Sequence, residues 1–175
     1  SQIVPVSGYR DWAEQEGIYA DALAQHGQEY ASTYVALPGC SEHQTGLAID
    51  VGKAAKHIDF IPPDFPYVGI YQKFRHAAVR YGFIQRYPEG KEAITGIGHE
   101  PWHFRYVGIP HAQLITQLDF TLEEYHQWIR AFPLERPYRF DAGSQTFAVG
   151  FVPATGDVTE IALHGEPYTI SGNNR

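Results

Sequence analysis

Apolar positions along the chain follow two rhythms, a period near two and a period near three and a half, and the changes between them mark the elements. Ile3-Val4-Pro5-Val6 is a short strand-like run closed by Ser7-Gly8. Asp11 caps a helix expected over roughly residues 12–26, with Glu14 at the capping-box position and Ile18, Ala22 and Leu23 on one face. Gly27 should end it, Tyr34-Val35-Ala36-Leu37 should be extended, and Pro38-Gly39 should turn the chain. Leu47-Ala48-Ile49-Asp50-Val51 reads as a strand stopped by Gly52. Residues 53–68 lose all periodicity and are expected to form a long surface loop. Helical spacing returns at Ile70-Tyr71, Phe74, Ala77-Ala78 and Tyr81, followed by a strand at Phe83–Tyr87 and the turn Pro88-Glu89-Gly90. Another strand is expected from Trp102 to Val107, a helix opening at Pro110, and a capped helix from Thr121 to about Phe132. Beyond Pro133, Phe147, Val149 and Phe151 alternate, and Val158–Leu163 and Tyr168-Thr169-Ile170 suggest further short strands.

Composition narrows the function classes. The 175 residues suit one domain with a small appendage, and 43% hydrophobic with 19% charged residues describes a folded core. Thirteen basic against twenty acidic residues give a net charge of −7 without a basic stripe, which argues against nucleic acid as the main partner. The single cysteine, Cys40, excludes an intrachain disulfide and is expected to be a small buried hydrophobe rather than a nucleophile. No apolar run reaches membrane-spanning length and no signal peptide is visible. The chain opens on "SQIVPVSGYR", already strand-like and without methionine, and is expected to be part of a longer protein.

The densest chemistry lies in "GHEPWHFRY", residues 98–106. HEPWH formally satisfies H-E-x-x-H, in which a helix brings two histidines one turn apart to one zinc. Pro101 disfavours helical backbone at Glu100, and Phe104, Tyr106 and Val107 are β-formers. In an extended segment His99 and His103 stand about 13 Å apart at ~3.3 Å per residue, too far to share a metal with ~2 Å bonds. His103, with Glu100 nearby, would then need ligands from elsewhere, and "SEHQTGLAID" offers His43 and Asp50 around a turn at Thr45-Gly46. Two imidazoles and one carboxylate, with a fourth position left for water, form a catalytic zinc set. The residues alone leave another reading open, of a surface histidine, a strand-end aspartate, and a turn beside a core tryptophan.

Taken together and in order, "SGYR", "SEHQTGLAID" and "HEPWHFRYVG" resemble the D-Ala-D-Ala metallopeptidases. This clan comprises VanY carboxypeptidases, VanX dipeptidases and bifunctional VanXY enzymes, with lysostaphin-type enzymes and the hedgehog signalling domain as distant relatives. The similarity spans about residues 3–132; "YVALPGCSEHQTGLAIDVG" and the extension through "ISGNN" look most like the VanXY type. The family's N-terminal portion, which completes the sheet and contributes to the pocket, is expected to be missing from these residues. The resemblance implies an α+β fold with a small antiparallel sheet carrying the site, flanked by helices. It divides the chain into a catalytic domain at 1–132 and a C-terminal β-rich extension at 133–175.

By the same resemblance, His43, Asp50 and His103 hold one Zn2+ per chain and Glu100 is the general base. Arg10 faces the scissile carbonyl oxygen, Ser41 helps to hold the substrate's terminal carboxylate, Gln15 lies on the pocket side of the first helix, and Trp102 walls the site. His99 is not a ligand in this family. The implied activity is hydrolysis of the D-Ala-D-Ala terminus of peptidoglycan stem peptides, or of the free dipeptide, a chemistry associated with glycopeptide antibiotic resistance. An L,D-carboxypeptidase of the same clan, a non-catalytic zinc-containing cell-wall-binding protein and a hydrolase built on Cys40 are the alternatives. The implied source is bacterial, cytoplasmic if VanXY-like, extracytoplasmic and membrane-anchored if VanY-like. The oligomeric state is left open.

Overall fold

Period-two segments of the chain pair into one four-stranded antiparallel sheet, and a computed structural model describes residues 2–143, 145–154, 156–162, 165 and 167–170 of it. The order is β1 (Ile3–Ser7), β2 (Ala48–Lys53), β4 (Glu100–Tyr106) and β3 (Phe83–Tyr87). β2 and β4 lie at the centre with Ile49 opposite Phe104 and Asp50 opposite His103. Because successive side chains alternate between faces, this register puts two apolar partners on one face and two site residues on the other.

The apolar face carries the core. Val51, Phe65, Ala78, Trp102 and Phe104 are buried together, with Tyr71 and Phe74 of α2 (Gly69–Arg80) packed on them. Phe104 is 1% exposed and meets Phe65 and Phe74 edge-on at 5.9 and 5.2 Å between centroids. Burying a ring of this kind contributes roughly 1.5–3 kcal/mol. Segment 53–68 is irregular as expected, but it is not wholly a surface loop. Phe65 is 2% exposed and Pro63 is fully buried, so its second half closes the core.

α1 runs from Trp12 to Tyr34, longer than the period indicates, and its break lies at Gly27, which has φ 85° and ψ 174°. Gly27 does end a helix, but a second one begins at once, so Tyr34 is helical rather than extended. Asp11 accepts the Glu14 N–H at 2.8 Å, the cap expected of it. α3 (Glu92–Thr95) is a single turn without sequence periodicity, and α4 (Ile109–Gln117) carries Pro110 in its first turn. Cys40 is exposed, contrary to its expected burial, because it falls in the turn after Pro38.

Residues 1–123 and 124–175 form two compact units. α5 (Leu122–Ile129) straddles the division. In the second unit Trp128, Phe132 and Tyr138 pack with tilted and edge-on rings, and β5 (Tyr138–Ala142) pairs with β6 (Gln145–Val149) as an antiparallel hairpin. Phe151 forms an isolated bridge with Pro133. The strands expected at 158–163 and 168–170 are absent among the described residues, where those segments pair with nothing as strands. Leu163 and the "SGNN" of the extension lie outside the described residues. Among the described residues no helix is long and apolar enough to cross a membrane.

Candidate metal centre and active site

The site lies on the polar face of the sheet and is assembled from two local devices. The first is the turn before β2. Residues Glu42–Thr45 make one 3-10 turn, which Gly46 closes at φ 72°, a left-handed conformation that glycine adopts without strain. This reversal returns the chain so that His43 lies over β2, with Nε2 3.1 Å from Asp50 Oδ2.

The second device is a bulge. Residues three apart in a regular strand point to opposite faces, yet Glu100 and His103 both enter the site. Between Gln85 and Tyr87 β3 advances two residues, while β4 advances four from Phe104 back to Glu100. The extra residues re-aim Glu100, whose Oε2 comes 3.6 Å from His103 Nδ1. Pro101 sits in this interruption, where its missing N–H costs no ladder bond. Arg75 of α2 donates to the Pro101 carbonyl at 3.1 Å and to the carbonyls of Phe65 and Pro66 at 2.6 and 2.7 Å, tying the bulge to the loop beneath it.

His43, Asp50 and His103, all buried, converge with one ligand atom from each within 4.8 Å of the others. The ring nitrogens are already sorted. His43 Nδ1 donates to the Gly8 carbonyl at 2.6 Å, which leaves the Nε2 lone pair facing Asp50. His103 turns Nδ1 toward Asp50 Oδ1 at 3.0 Å and Nε2 toward Glu42 Oε2 at 3.4 Å. Asp50 Oδ1 has no hydrogen-bond partner despite that contact, and a buried acceptor left so is costly. Two outward-anchored imidazoles facing one carboxylate, whose Oδ1 is unsatisfied, fit a zinc-type divalent cation.

Charge supports the same fit. Burial works to raise the Asp50 pKa, but the His103 and His43 rings override it and hold the group well below the usual carboxylate range. Burial would lower the His103 pKa, yet Asp50 and Glu42 push it up to about 9, because without a metal the carboxylates favour a proton where a cation would otherwise sit. Glu100 behaves in the opposite way. Burial, with Asp50 and Glu42 adding to it against His103 and Arg10, pushes its carboxyl up to about 8. A carboxylate that readily takes a proton near neutrality has the property a general base requires.

The other expected residues border the same cavity, whose volume is about 40 Å³. Arg10 is buried and spends its guanidinium on Ser7 Oγ at 2.8 Å, Asp50 Oδ2 at 2.9 Å and Gln15 Oε1 at 3.4 Å. Gln15, 1% exposed, also donates to the Ala36 carbonyl at 2.7 Å, so in this structure it holds Arg10 and the chain after α1. Ser41 precedes the 3-10 turn but does not use its hydroxyl to cap it. Trp102 belongs to the core and also lines the cavity. His99 points elsewhere, accepting from or donating to Tyr67 Oη at 2.7 Å.

Two residues at the site have no signal in the sequence pattern. Tyr87 is buried with its ring 5.0 Å from that of His103. Glu42 is held by Arg86 Nε at 2.8 Å and Arg105 Nη1 at 3.0 Å. Nothing marks Glu42 beforehand except its place beside His43, because Arg86 and His103 are 44 and 61 residues away.

Comparison with known proteins is consistent with this geometry. The profile of the VanY family, D-alanyl-D-alanine carboxypeptidase, matches residues 1–109. A bifunctional D-Ala-D-Ala dipeptidase and carboxypeptidase, VanXYC of Enterococcus gallinarum, is 52% identical over 125 residues, covering 71% of this chain and 66% of that protein. The crystal structure of the vancomycin resistance D,D-dipeptidase VanXYg with a D-Ala-D-Ala phosphinate analogue superposes with TM-score 0.86 at 54% identity, over 88% of this chain and 62% of the other. A D,D-pentapeptidase VanY from a VanB-type resistance cassette, in complex with Zn(II), superposes with TM-score 0.60 at 37% identity over 71% of each chain. The chain spans less than two thirds of the length of the curated relatives it matches. The match over most of residues 1–123 makes the chain a member of the VanY family of D-alanyl-D-alanine carboxypeptidases.

Proposed function

We propose that this chain carries the active site of a zinc-dependent D,D-peptidase that hydrolyses the D-Ala-D-Ala terminus of peptidoglycan precursors, as carboxypeptidase and as dipeptidase. The observation that carries the reading is the convergence of His43, Asp50 and His103 around an unsatisfied carboxylate oxygen, with Glu100 beside them. A zinc ion at these ligands supplies Lewis acidity, lowering the pKa of water toward ~7 and polarising a carbonyl.

The protein's own groups do the rest. Glu100 takes the proton of the attacking water and gives it to the leaving amine of the terminal D-alanine. Arg10, fixed by Ser7 and Gln15, offers positive charge to the oxygen that becomes negative in the transition state. Ser41 contributes its hydroxyl to the substrate carboxylate, and Trp102 bounds the cavity. Residues 1–132 form the catalytic domain of this reading and 133–175 an extension, and the VanXY-like similarity favours a bacterial cytoplasmic location.

Mass spectrometry of the products from zinc-loaded protein given free D-Ala-D-Ala, a pentapeptide ending in D-Ala-D-Ala and a tetrapeptide tests the reading. Release of D-alanine from the first two is expected. Cleavage of the tetrapeptide alone would assign an L,D-carboxypeptidase instead, and zinc binding without any release would make it a binding protein.

A further inference from the structure

Of the two imidazoles that face the metal position, that of His103 turns its outer nitrogen toward a carboxylate. His43 anchors through a backbone carbonyl, which no side-chain substitution removes. His103 Nε2 instead lies 3.4 Å from Glu42 Oε2. Glu42 is itself immobilised, since Arg86 Nε and Arg105 Nη1 both reach its Oε1. Arg86 is buried and does not depend on Glu42 alone, because Nη1 donates to Glu123 Oε2 at 3.0 Å and Nη2 to Glu123 Oε1. Two cations and two carboxylates therefore close a balanced chain that ends on the imidazole. Oε1 is occupied by arginines, and Oε2 is left for His103.

We propose that Glu42 is a positioning residue for metal binding: its Oε2 accepts the Nε2 proton of His103, fixes the ring with Nδ1 toward Asp50, and makes that nitrogen a stronger donor to the metal. The inference rests on the reading of His43, Asp50 and His103 as zinc ligands. Chemically the arrangement is a carboxylate–histidine–metal triad, in which the outer carboxylate sets the tautomer and raises ligand basicity. Glu42 is not a ligand itself, because it lies behind the imidazole on the side away from Asp50. The Arg86–Glu123 pair extends the device, since it holds Glu42 in place without leaving a charge unpaired.

The test is zinc affinity of the full chain, measured by competition with a chromophoric chelator. E42Q keeps a carbonyl acceptor but loses the charge, and E42A loses both. Affinity is expected to fall about 10-fold for E42Q and about 100-fold for E42A, the range such outer partners command. With zinc saturating, kcat should fall more than KM for the pentapeptide changes, because Glu42 acts through the His103 ring.

Zinc-loaded wild type should also show the His103 Nε2 proton as a low-field, exchange-protected NMR resonance that shifts upfield in E42Q. Unchanged affinity in a folded E42Q and E42A overturns the proposal. If neither variant folds, the wild-type resonance decides, since its absence overturns the proposal equally. A protein that binds zinc through Glu42-dependent His103 but releases no D-alanine leaves this inference standing and removes the peptidase reading instead.

Discussion

The two halves of the metal site are built on different principles. The His43–Asp50 half is short-range, with seven residues of spacing, one 3-10 turn, one left-handed glycine and one regular strand placing both groups. The Glu100–His103 half also joins near neighbours, but the strand carrying them must be broken before they can face the same way. What makes it work lies far off in sequence, in β3, which sets the interrupted register, and in Arg75, which holds the Pro101 carbonyl. A local turn survives most changes around it, whereas an interrupted register depends on distant support.

The sharpest way to break the comparison is to remove one ligand from each half. H43A and H103A should both abolish zinc binding and turnover, read by metal content after dialysis and by D-alanine release. Full zinc retention in either would separate the halves and sink the shared site. The next effect divides roles inside the second half. E100Q should lower kcat by about 10²–10⁴-fold, the range expected of a lost general base, while zinc content stays at wild type.

The same substitution has a pH signature in metal-free protein. The Glu100 carboxyl, pushed up to about 8 by burial, binds a proton in the folded state that the unfolded chain releases near 4.5. Between those values the folded state binds more protons, so wild-type stability falls as pH rises. E100Q should therefore gain on wild type between pH 5 and pH 8 in denaturant midpoint. A gap that does not widen over that interval would contradict the burial argument.

Smaller effects test the supports. R75M leaves the carbonyls of Phe65, Pro66 and Pro101 without their donor and should cost about 1–3 kcal/mol in urea unfolding. It should also lower kcat, because Glu100 sits on the released bulge. G46A should cost about 1–2 kcal/mol through the left-handed backbone alone, since nothing lies within 4 Å of the added methyl. If R75M left kcat untouched while G46A lowered it, the contrast between a self-sufficient turn and a dependent bulge would be reversed.

Much of this site is legible in the chain itself. Pro101 and the β-formers after it exclude a helical H-E-x-x-H and separate His99 from the metal, while the turn at Thr45-Gly46 before the apolar strand Leu47–Val51 brings His43 to Asp50. The structure agrees, with β4 extended and His99 bonded to Tyr67 instead. The misses have a common cause. Gly27 marks a helix end by local rules, but whether another helix follows depends on what residues 28–34 pack against. Phe65 reads as loop because only the fold brings Phe74 and Phe104 to it. Val158–Ala162 forms no strand among the described residues, because a strand is a property of two segments.

By itself, then, the order of residues determined which side chains carry chemistry: caps, turns and alternation act over a few residues, and their steric rules hold wherever the segment lies. Tertiary structure alone decided how those side chains face one another. The register of β2 on β4 set Asp50 against His103, the unequal advance of β3 and β4 turned Glu100 inward, and the fold delivered Glu42, Arg86 and Arg105 to the back of one imidazole. Distances across the sheet depend on pairing energies summed over distant segments, and no short window of sequence contains that sum.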